Sequence, residues 1–230
     1  MVKKMQRGPD PKFPYLGEFD RFRFPDPLSV SGNIIAMGGN LSPGMLLSAY
    51  EQGIFPWYNP EDPILWQSPD PRCLIFSNTL HVSNSMEKIL KTNIFKIYFD
   101  RSFPAVIKAC SEIKRRGQPG TWITDDIINA YNELHRLGYA HCMEAWQDGV
   151  LEGGCYGVLL GRAFFGESMF SVKANASKAA FISLARQLIS DGVRFIDCQQ
   201  PTRHMGSLGG EEISRKDFIN MLLQKSYPQR

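Results

Sequence analysis

Two carboxylates and one amide stand at the ends of apolar segments in this 230-residue sequence, where a sheet could use them for acid or base chemistry. Glu167 ends one predicted strand, and Asp197 and Gln199 end another. A carboxylate in an apolar strand costs several kcal/mol unless it is paired or hydrogen-bonded. A structural ion pair would explain Glu167 alone equally well. Three polar groups at one sheet edge, where ligands usually bind, favour a catalytic site.

The spacing of this group predicts its arrangement. In an extended chain, Asp197 and Gln199 point to one face and Cys198 to the other. The carboxylate can then orient the amide, and the amide can position a substrate. Covalent catalysis is disfavoured because Cys198 would point away and because none of the four histidines stands beside a candidate Ser or Cys.

Composition sets the outer limits. With 43% hydrophobic residues, the chain can bury the core of one large domain or two modest ones. No segment approaches the roughly 18 uncharged apolar residues of a membrane helix, so we expect a cytoplasmic protein. The five cysteines are scattered without paired zinc or redox spacing, so we expect reduced thiols and no metal.

Two regions of different amino-acid composition predict the domain organisation. Residues 1–71 are rich in Pro, Gly and aromatic residues and should form a small N-terminal domain, with one helix capped by Ser42 and ended by Gly53. Residues 72–230 should form an α/β (α+β) domain. Its strands at 142–146, 151–160 and 163–168 are followed by a helix and a returning strand. That order is typical of the acetyltransferase-like (GNAT-like) fold.

Basic residues cluster between positions 88 and 116, where eight Lys or Arg stand against two acids. Clustered cations suit a polyanionic partner because they release counterions from phosphates. A solvated helix face is the alternative. The candidate phosphate contacts are Lys88, Lys91, Lys114, Arg115 and Arg116.

Aromatic and apolar residues suggest two further subsites. Trp57 and Trp122 lie in loop-like surroundings, where an indole could stack on a nucleobase. An adaptable pocket for an aliphatic or aromatic side chain is indicated around the carboxylates. Plain hydrophobic core is the alternative for both sets. The candidate pocket residues are Phe164, Met169, Phe181 and Ile196.

Two other functions remain open at this point. The predicted fold order suggests an acyl-CoA-dependent N-acetyltransferase, but residues 171–175 replace the glycine-rich pyrophosphate turn expected before the main helix. A non-catalytic RNA-binding module would explain the basic segment and the exposed aromatic residues.

Several motifs, taken together, resemble the leucyl/phenylalanyl-tRNA–protein transferases over residues 24–222. Chance similarity is improbable because many blocks occur in one order. They include Gly53-Ile54-Phe55-Pro56-Trp57, Ser68-Pro69-Asp70-Pro71-Arg72, Thr121-Trp122-Ile123-Thr124, Gly166-Glu167-Ser168-Met169 and Ile196-Asp197-Cys198-Gln199.

The resemblance implies transfer of Leu or Phe from aminoacyl-tRNA to the α-amino group of proteins that begin with Arg or Lys, which creates a degradation signal. It implies no metal or soluble cofactor, no covalent intermediate and a monomer. Asp197 and Gln199 would orient or deprotonate the amine, and Glu167 would support them. Trp57 and Trp122 would hold the 3′-terminal adenosine.

The resemblance also places the pocket for the transferred side chain. It maps this pocket onto Phe164, Met169, Phe181 and Ile196. One further pocket position, a methionine in relatives, is Cys155 in this chain.

Overall fold

A computed structural model describes residues 7–113 and 121–224 of the chain. Mixed α/β structure is present, as the sequence predicts. The described residues form two sheets and seven α-helices. A three-stranded sheet is formed by β1 (Ile34–Met37), β2 (Phe55–Pro56) and β3 (Leu65–Gln67). A seven-stranded sheet is formed by β4 (Arg72–Phe76), β5 (Lys96–Phe99), β6 (Ala140–Gln147), β7 (Val150–Leu160), β8 (Ala163–Ser171), β9 (Phe195–Asp197) and β10 (Glu211–Ile213). The helices are α1 (Pro43–Glu51), α2 (Asn84–Lys91), α3 (Phe103–Glu112), α4 (Asp125–Arg136), α5 (Ala176–Ser190), α6 (Arg203–Ser207) and α7 (Arg215–Leu223).

Helix ends follow the local chemistry of the sequence. Thr124 accepts a hydrogen bond from the Ile127 amide and so caps α4. Ser42 occupies the N-cap position of α1 before a proline, but its hydroxyl accepts the Leu16 amide instead of capping the helix. The predicted helix is therefore present, and the Ser42 hydroxyl binds the N-terminal segment at Leu16.

The large sheet has the strand order β10-β4-β9-β8-β7-β6-β5. Strands β6, β7 and β8 form the predicted antiparallel meander, and β9 returns after α5 to lie parallel to β8. Asp148 and Gly149 both have positive φ at the first hairpin, as a tight turn of matching twist requires. The predicted acetyltransferase-like order of meander, helix and returning strand is confirmed.

Two hydrophobic clusters cover the two faces of this sheet. One joins residues of α2 and α5, such as Met86 and Phe181. The other joins Leu47 of α1, Phe103 of α3 and Phe218 of α7. The second cluster runs without a break from the N-terminal region into the large sheet. The division of the chain at residue 71 stays a prediction.

None of the helices described at residues 7–113 and 121–224 is long and apolar enough to span a bilayer. Nor do the His, Cys, Asp and Glu side chains of these ranges assemble into a group of three or more that could hold a metal ion.

Candidate active site

A cavity of about 310 Å³ opens where β8 and β9 part. Their parallel pairing ends at Phe165 and Asp197. Beyond that point, residues 166–169 line one wall and residues 198–200 line another. Its volume is of the size that small-ligand sites have. The cavity therefore lies at the end of β9, as the sequence predicted, but the predicted strand end at Glu167 is wrong because β8 continues to Ser171.

A β-bulge places Glu167 on the cavity wall. In the β7–β8 pairing, Tyr156 is opposite Ser168 and Gly157 is opposite Gly166, so Glu167 is the extra residue. A side chain at Gly157 would collide with the Phe165 carbonyl oxygen at 2.2 Å, so the close approach of the strands requires glycine there. Bulges often re-aim a side chain beside an active site. Here the bulge turns a carboxylate toward the cavity.

Two tyrosine hydroxyls hold the Glu167 carboxylate. Tyr50 Oη donates to Glu167 Oε1 at 2.7 Å, and Tyr131 Oη donates to Oε2 at 3.1 Å. The two hydroxyls also contact each other. Burial raises the pKa of Glu167 to about 7, although both tyrosine hydrogen bonds act in the opposite direction. The group is therefore suited to exchange protons near neutral pH.

Asp197 is enclosed behind the cavity wall. Arg72 Nε and Nη2 donate to its two carboxylate oxygens at 2.9 and 2.6 Å, and both side chains are completely buried. Arg72 also lies against the rings of Phe55 and Phe218. The third hydrogen bond of Asp197 comes from the backbone amide of Gln199, which donates to Asp197 Oδ1 at 2.9 Å. Asp197 therefore does not reach the cavity itself, and its hydrogen bond toward the cavity wall is the one with the backbone of Gln199.

The predicted shared face of Asp197 and Gln199 is wrong. It required an extended chain, whereas Gln199 has φ of 56°. The turn brings Cys198 and Gln199 together onto the cavity wall, and Asp197 is not among the lining residues. Gln199 Nε2 is buried and makes no hydrogen bond within the described part of the chain. A buried amide donor without an acceptor is costly unless a ligand supplies one.

Most of the predicted pocket residues meet in the cavity. Phe164, Met169, Phe181 and Cys155 all line it. Ile196 lies opposite Phe164 in the β8–β9 pairing but does not line the cavity. Its side chain is buried in the cluster beneath α5. The side-chain pocket thus differs from the prediction by one residue.

Both candidate stacking residues also reach the cavity. Trp57 follows β2 and Trp122 precedes α4, and each is half-buried and lines the cavity. By contrast, Trp66 is 1% exposed and donates through Nε1 to the Gly38 carbonyl at 2.9 Å, so it belongs to the core.

The two cysteines of the cavity are held as thiols. Burial raises the pKa of Cys155, and contact with Cys73 is the main cause that raises the pKa of Cys198. A thiol is a much weaker nucleophile than a thiolate. Neither residue is prepared to form a covalent intermediate.

Only part of the predicted basic surface can be described. Lys88 and Lys91 are exposed on α2, next to the ion pair between Glu87 and Arg186. Helix α2 shares a hydrophobic cluster with α5, which contributes Phe181 to the cavity. Lys114, Arg115 and Arg116 lie outside the described residues.

Sequence reasoning missed Tyr50, Tyr131 and Arg72 as parts of the site. Tyr50 and Tyr131 lie in helices and Arg72 begins β4, so none of the three carries a local signal in the sequence. It also missed His204, which lines the cavity and whose pKa is lowered chiefly by burial. Only the folded chain brings these residues together.

Solved structures show a distant similarity. A crystal structure of an aminoglycoside acetyltransferase from an uncultured soil metagenomic sample aligns with a TM-score of 0.36 and 12% identity, covering 60% of this chain and 93% of that one. A similarity at that level carries no argument about this chain.

Sequence comparisons are far closer. Family models described as leucyl/phenylalanyl-tRNA protein transferase and its N-terminal domain match residues 74–223 and 39–70. Leucyl/phenylalanyl-tRNA–protein transferase of Syntrophotalea carbinolica is 51% identical over 191 residues, 83% of each chain. The protein of that name from Hahella chejuensis is 48% identical over 213 residues, 92% of this chain and 91% of the relative. Since a family model covers well over half of the chain and these relatives match nearly throughout, the chain belongs to the leucyl/phenylalanyl-tRNA–protein transferase family of aminoacyltransferases.

Proposed function

We propose that this chain transfers leucine or phenylalanine from aminoacyl-tRNA to the α-amino group of proteins that begin with Arg or Lys. The product carries a new N-terminal residue that acts as a degradation signal, and the reaction takes place in the cytoplasm. The observation that carries the proposal is one cavity in which an apolar pocket, two indoles, Glu167 and Gln199 meet.

The substrates can be assigned to parts of this cavity. The transferred side chain occupies the pocket around Phe164, Met169 and Phe181, and the terminal adenosine stacks on Trp57 and Trp122. Stacking of this kind contributes about 1–3 kcal/mol per base. An aliphatic or aromatic amino acid suits this apolar lining.

The acceptor protein begins with a cationic residue, so a negative charge in the cavity favours its binding. Among the described residues that line the cavity, Glu167 is the single acid. Asp197 does not add to this attraction because Arg72 neutralises it. Glu167 is therefore the group that favours an N-terminal Arg or Lys.

The chemical step needs little beyond positioning and proton transfer. The amine nitrogen attacks the ester carbonyl carbon, the C–N bond forms, and the ester C–O bond to the terminal ribose breaks. Glu167 accepts the amine proton, and the ribose oxygen gains a proton as it leaves. The free Nε2 donors of Gln199 can stabilise the charge that develops on the carbonyl oxygen. The thiol state of Cys155 and Cys198 supports a reaction without a covalent enzyme intermediate.

Transfer of labelled amino acid tests the proposal. Purified protein is incubated with labelled Leu-tRNA, Phe-tRNA or acetyl-CoA and with two peptides that differ only in Arg or Ala at the first position. We expect label from either aminoacyl-tRNA on the Arg peptide and little on the Ala peptide. Label from acetyl-CoA would support an N-acetyltransferase instead. RNA binding without any transfer would support a binding module.

A further inference from the structure

Cys73 and Cys198 lie side by side on neighbouring strands of the large sheet. The pairing of β4 with β9 ends with Leu74 opposite Asp197, so Cys73 and Cys198 are the next residues of the two segments. The Cys198 amide donates to the Cys73 carbonyl at 2.9 Å. Neighbouring strands of a sheet lie about 4.7–4.9 Å apart. A disulfide accommodates Cα separations of about 4.4–6.8 Å.

The two thiols also contact each other, and both are free. They share the sheet face that carries Ile75 and Ile196, opposite the face of the Arg72–Asp197 pair. Cys73 is buried beneath the chain at Gly210, where an added Cβ would meet its Sγ at 2.9 Å. The chain at Gly210 therefore holds the Cys73 side chain in place.

Access to the pair comes through the cavity. Cys198 lines the cavity wall, whereas Cys73 lies behind it. The hydrogen bond between the two thiols lowers the pKa of Cys73 and raises that of Cys198. A small oxidant that enters the cavity thus reaches the Cys198 sulfur, with the Cys73 sulfur already beside it.

We propose that Cys73 and Cys198 form an oxidative modification site, at which a peroxide joins the two sulfurs as a disulfide. One sulfur attacks a peroxide oxygen, the O–O bond breaks, and the released hydroxide takes up the thiol proton as water. The second sulfur attacks the resulting sulfenic acid, the S–S bond forms, the S–O bond breaks, and a second water leaves with the other thiol proton. Two thiols are oxidised by two electrons and the peroxide is reduced to water.

The disulfide changes the site next to it. Gln199 follows Cys198, and its carbonyl accepts the Cys73 amide at 3.1 Å. A bond between the sulfurs ties together the two segments that place Gln199 and draws the Cys198 sulfur off the cavity wall. We therefore expect oxidation to suppress aminoacyl transfer, a consequence that rests on the proposed function, whereas the crosslink itself does not.

Peptide mapping tests the crosslink directly. The intact protein is treated with hydrogen peroxide, alkylated, and digested with trypsin without reduction. We expect residues 73–88 and 195–203 as one linked peptide that separates on reduction. Sulfinic or sulfonic acid on Cys198 without linkage would overturn the proposal, as would equal linkage through Cys110 or Cys142.

Transfer assays before and after peroxide test the consequence. We expect the wild type to lose at least tenfold in rate and to recover with a dithiol reductant. The Cys73→Ala variant should keep its reduced-state rate and lose the reversible inhibition, and Cys110→Ala is the matched control that retains it. Linkage with an unchanged transfer rate would overturn the effect on the site. Absence of transfer even in reduced wild-type protein would contradict the proposed function, and the mapping result would still decide the crosslink.

Discussion

Arg72 binds both carboxylate oxygens of Asp197 inside the protein, where neither side chain is exposed. The pair joins the start of β4 to the end of β9, beside the cavity. Arg72 also donates to the Gly53 carbonyl at 3.2 Å, so the same guanidinium contacts the N-terminal region. This ion pair gives Asp197 a structural role in addition to any role in the reaction.

Removal of one partner should destabilise the fold strongly. Asp197→Ala leaves the Arg72 charge buried without compensation, which typically costs about 3–5 kcal/mol. Urea unfolding followed by circular dichroism measures the change. Glu51→Ala, which removes an exposed ion pair with Arg21, is the control and should leave the midpoint nearly unchanged. Equal midpoints for Asp197→Ala and wild type would refute the structural role.

The link between Asp197 and Gln199 can be tested with an isosteric change, measured at a temperature at which the destabilised variant is still folded. Asp197→Asn keeps the volume but weakens the acceptor for the Gln199 amide. We expect a lower kcat with an unchanged dissociation constant for tRNA. If Asp197 acts only through Gln199, the double variant with Gln199→Ala should be no slower than Gln199→Ala alone. Additive losses would show that Asp197 acts on the substrate by another route.

Protonation of Glu167 should control the rate at neutral pH. Its pKa is raised to about 7, so its basic form is lost as the pH falls below that value. We expect kcat to fall about tenfold per pH unit below this point, because a general base must be unprotonated. Glu167→Gln should lose this dependence together with roughly a hundredfold or more of the rate.

Tyr131→Phe supplies the matched comparison for that profile. Its hydroxyl lowers the pKa of Glu167, so its loss should move the acidic limb of kcat to higher pH. A limb that stays in place in both variants would assign the titration to another group, such as the acceptor amine, whose pKa is about 8.

Local sequence patterns were sufficient to predict the strands and helices that carry the site. Turn residues such as Gly149 and the helical spacing of α5 predict the meander and the returning strand, because hairpins and amphipathic helices depend on neighbours in sequence. Gln199 could be identified as a polar residue beyond a strand end for the same reason, whereas Glu167 lies inside β8, which continues to Ser171. The mixed α/β class follows from these local signals.

The missing parts depend on contacts between residues far apart in the chain. Arg72 pairs with a residue 125 positions away, and Tyr50 reaches Glu167 across 117 positions. The positive φ of Gln199 reverses the expected direction of its side chain, and a glutamine gives no sign of it in sequence. The bulge at Glu167 likewise depends on how β7 and β8 align.

Stacking on the two cavity indoles should appear as a loss of nucleotide affinity. Trp57→Ala and Trp122→Ala should each weaken binding of an aminoacyl-adenosine analogue by about 1–3 kcal/mol, roughly 5- to 150-fold in Kd. Isothermal titration calorimetry gives the value directly. Phe19→Ala removes an aromatic ring that is 87% exposed and does not line the cavity, so it should have no effect. Unchanged affinity in both tryptophan variants would remove the adenosine from this wall.

Charge reversal on α2 should reduce the salt dependence of tRNA binding. Lys88 and Lys91 are exposed on the helix that packs beside the cavity-lining α5, so phosphates of a bound tRNA can reach them. Each lost phosphate contact should lower the slope of log K against log salt by about 0.7–0.9. The variant with Glu at both positions should therefore bind more weakly at low salt, with a slope reduced by about 1.5. Lys216→Glu reverses an exposed charge on α7, whose apolar residues belong to the other hydrophobic cluster, and it should leave the slope unchanged. An equal slope in the α2 variant and wild type would place the tRNA backbone elsewhere.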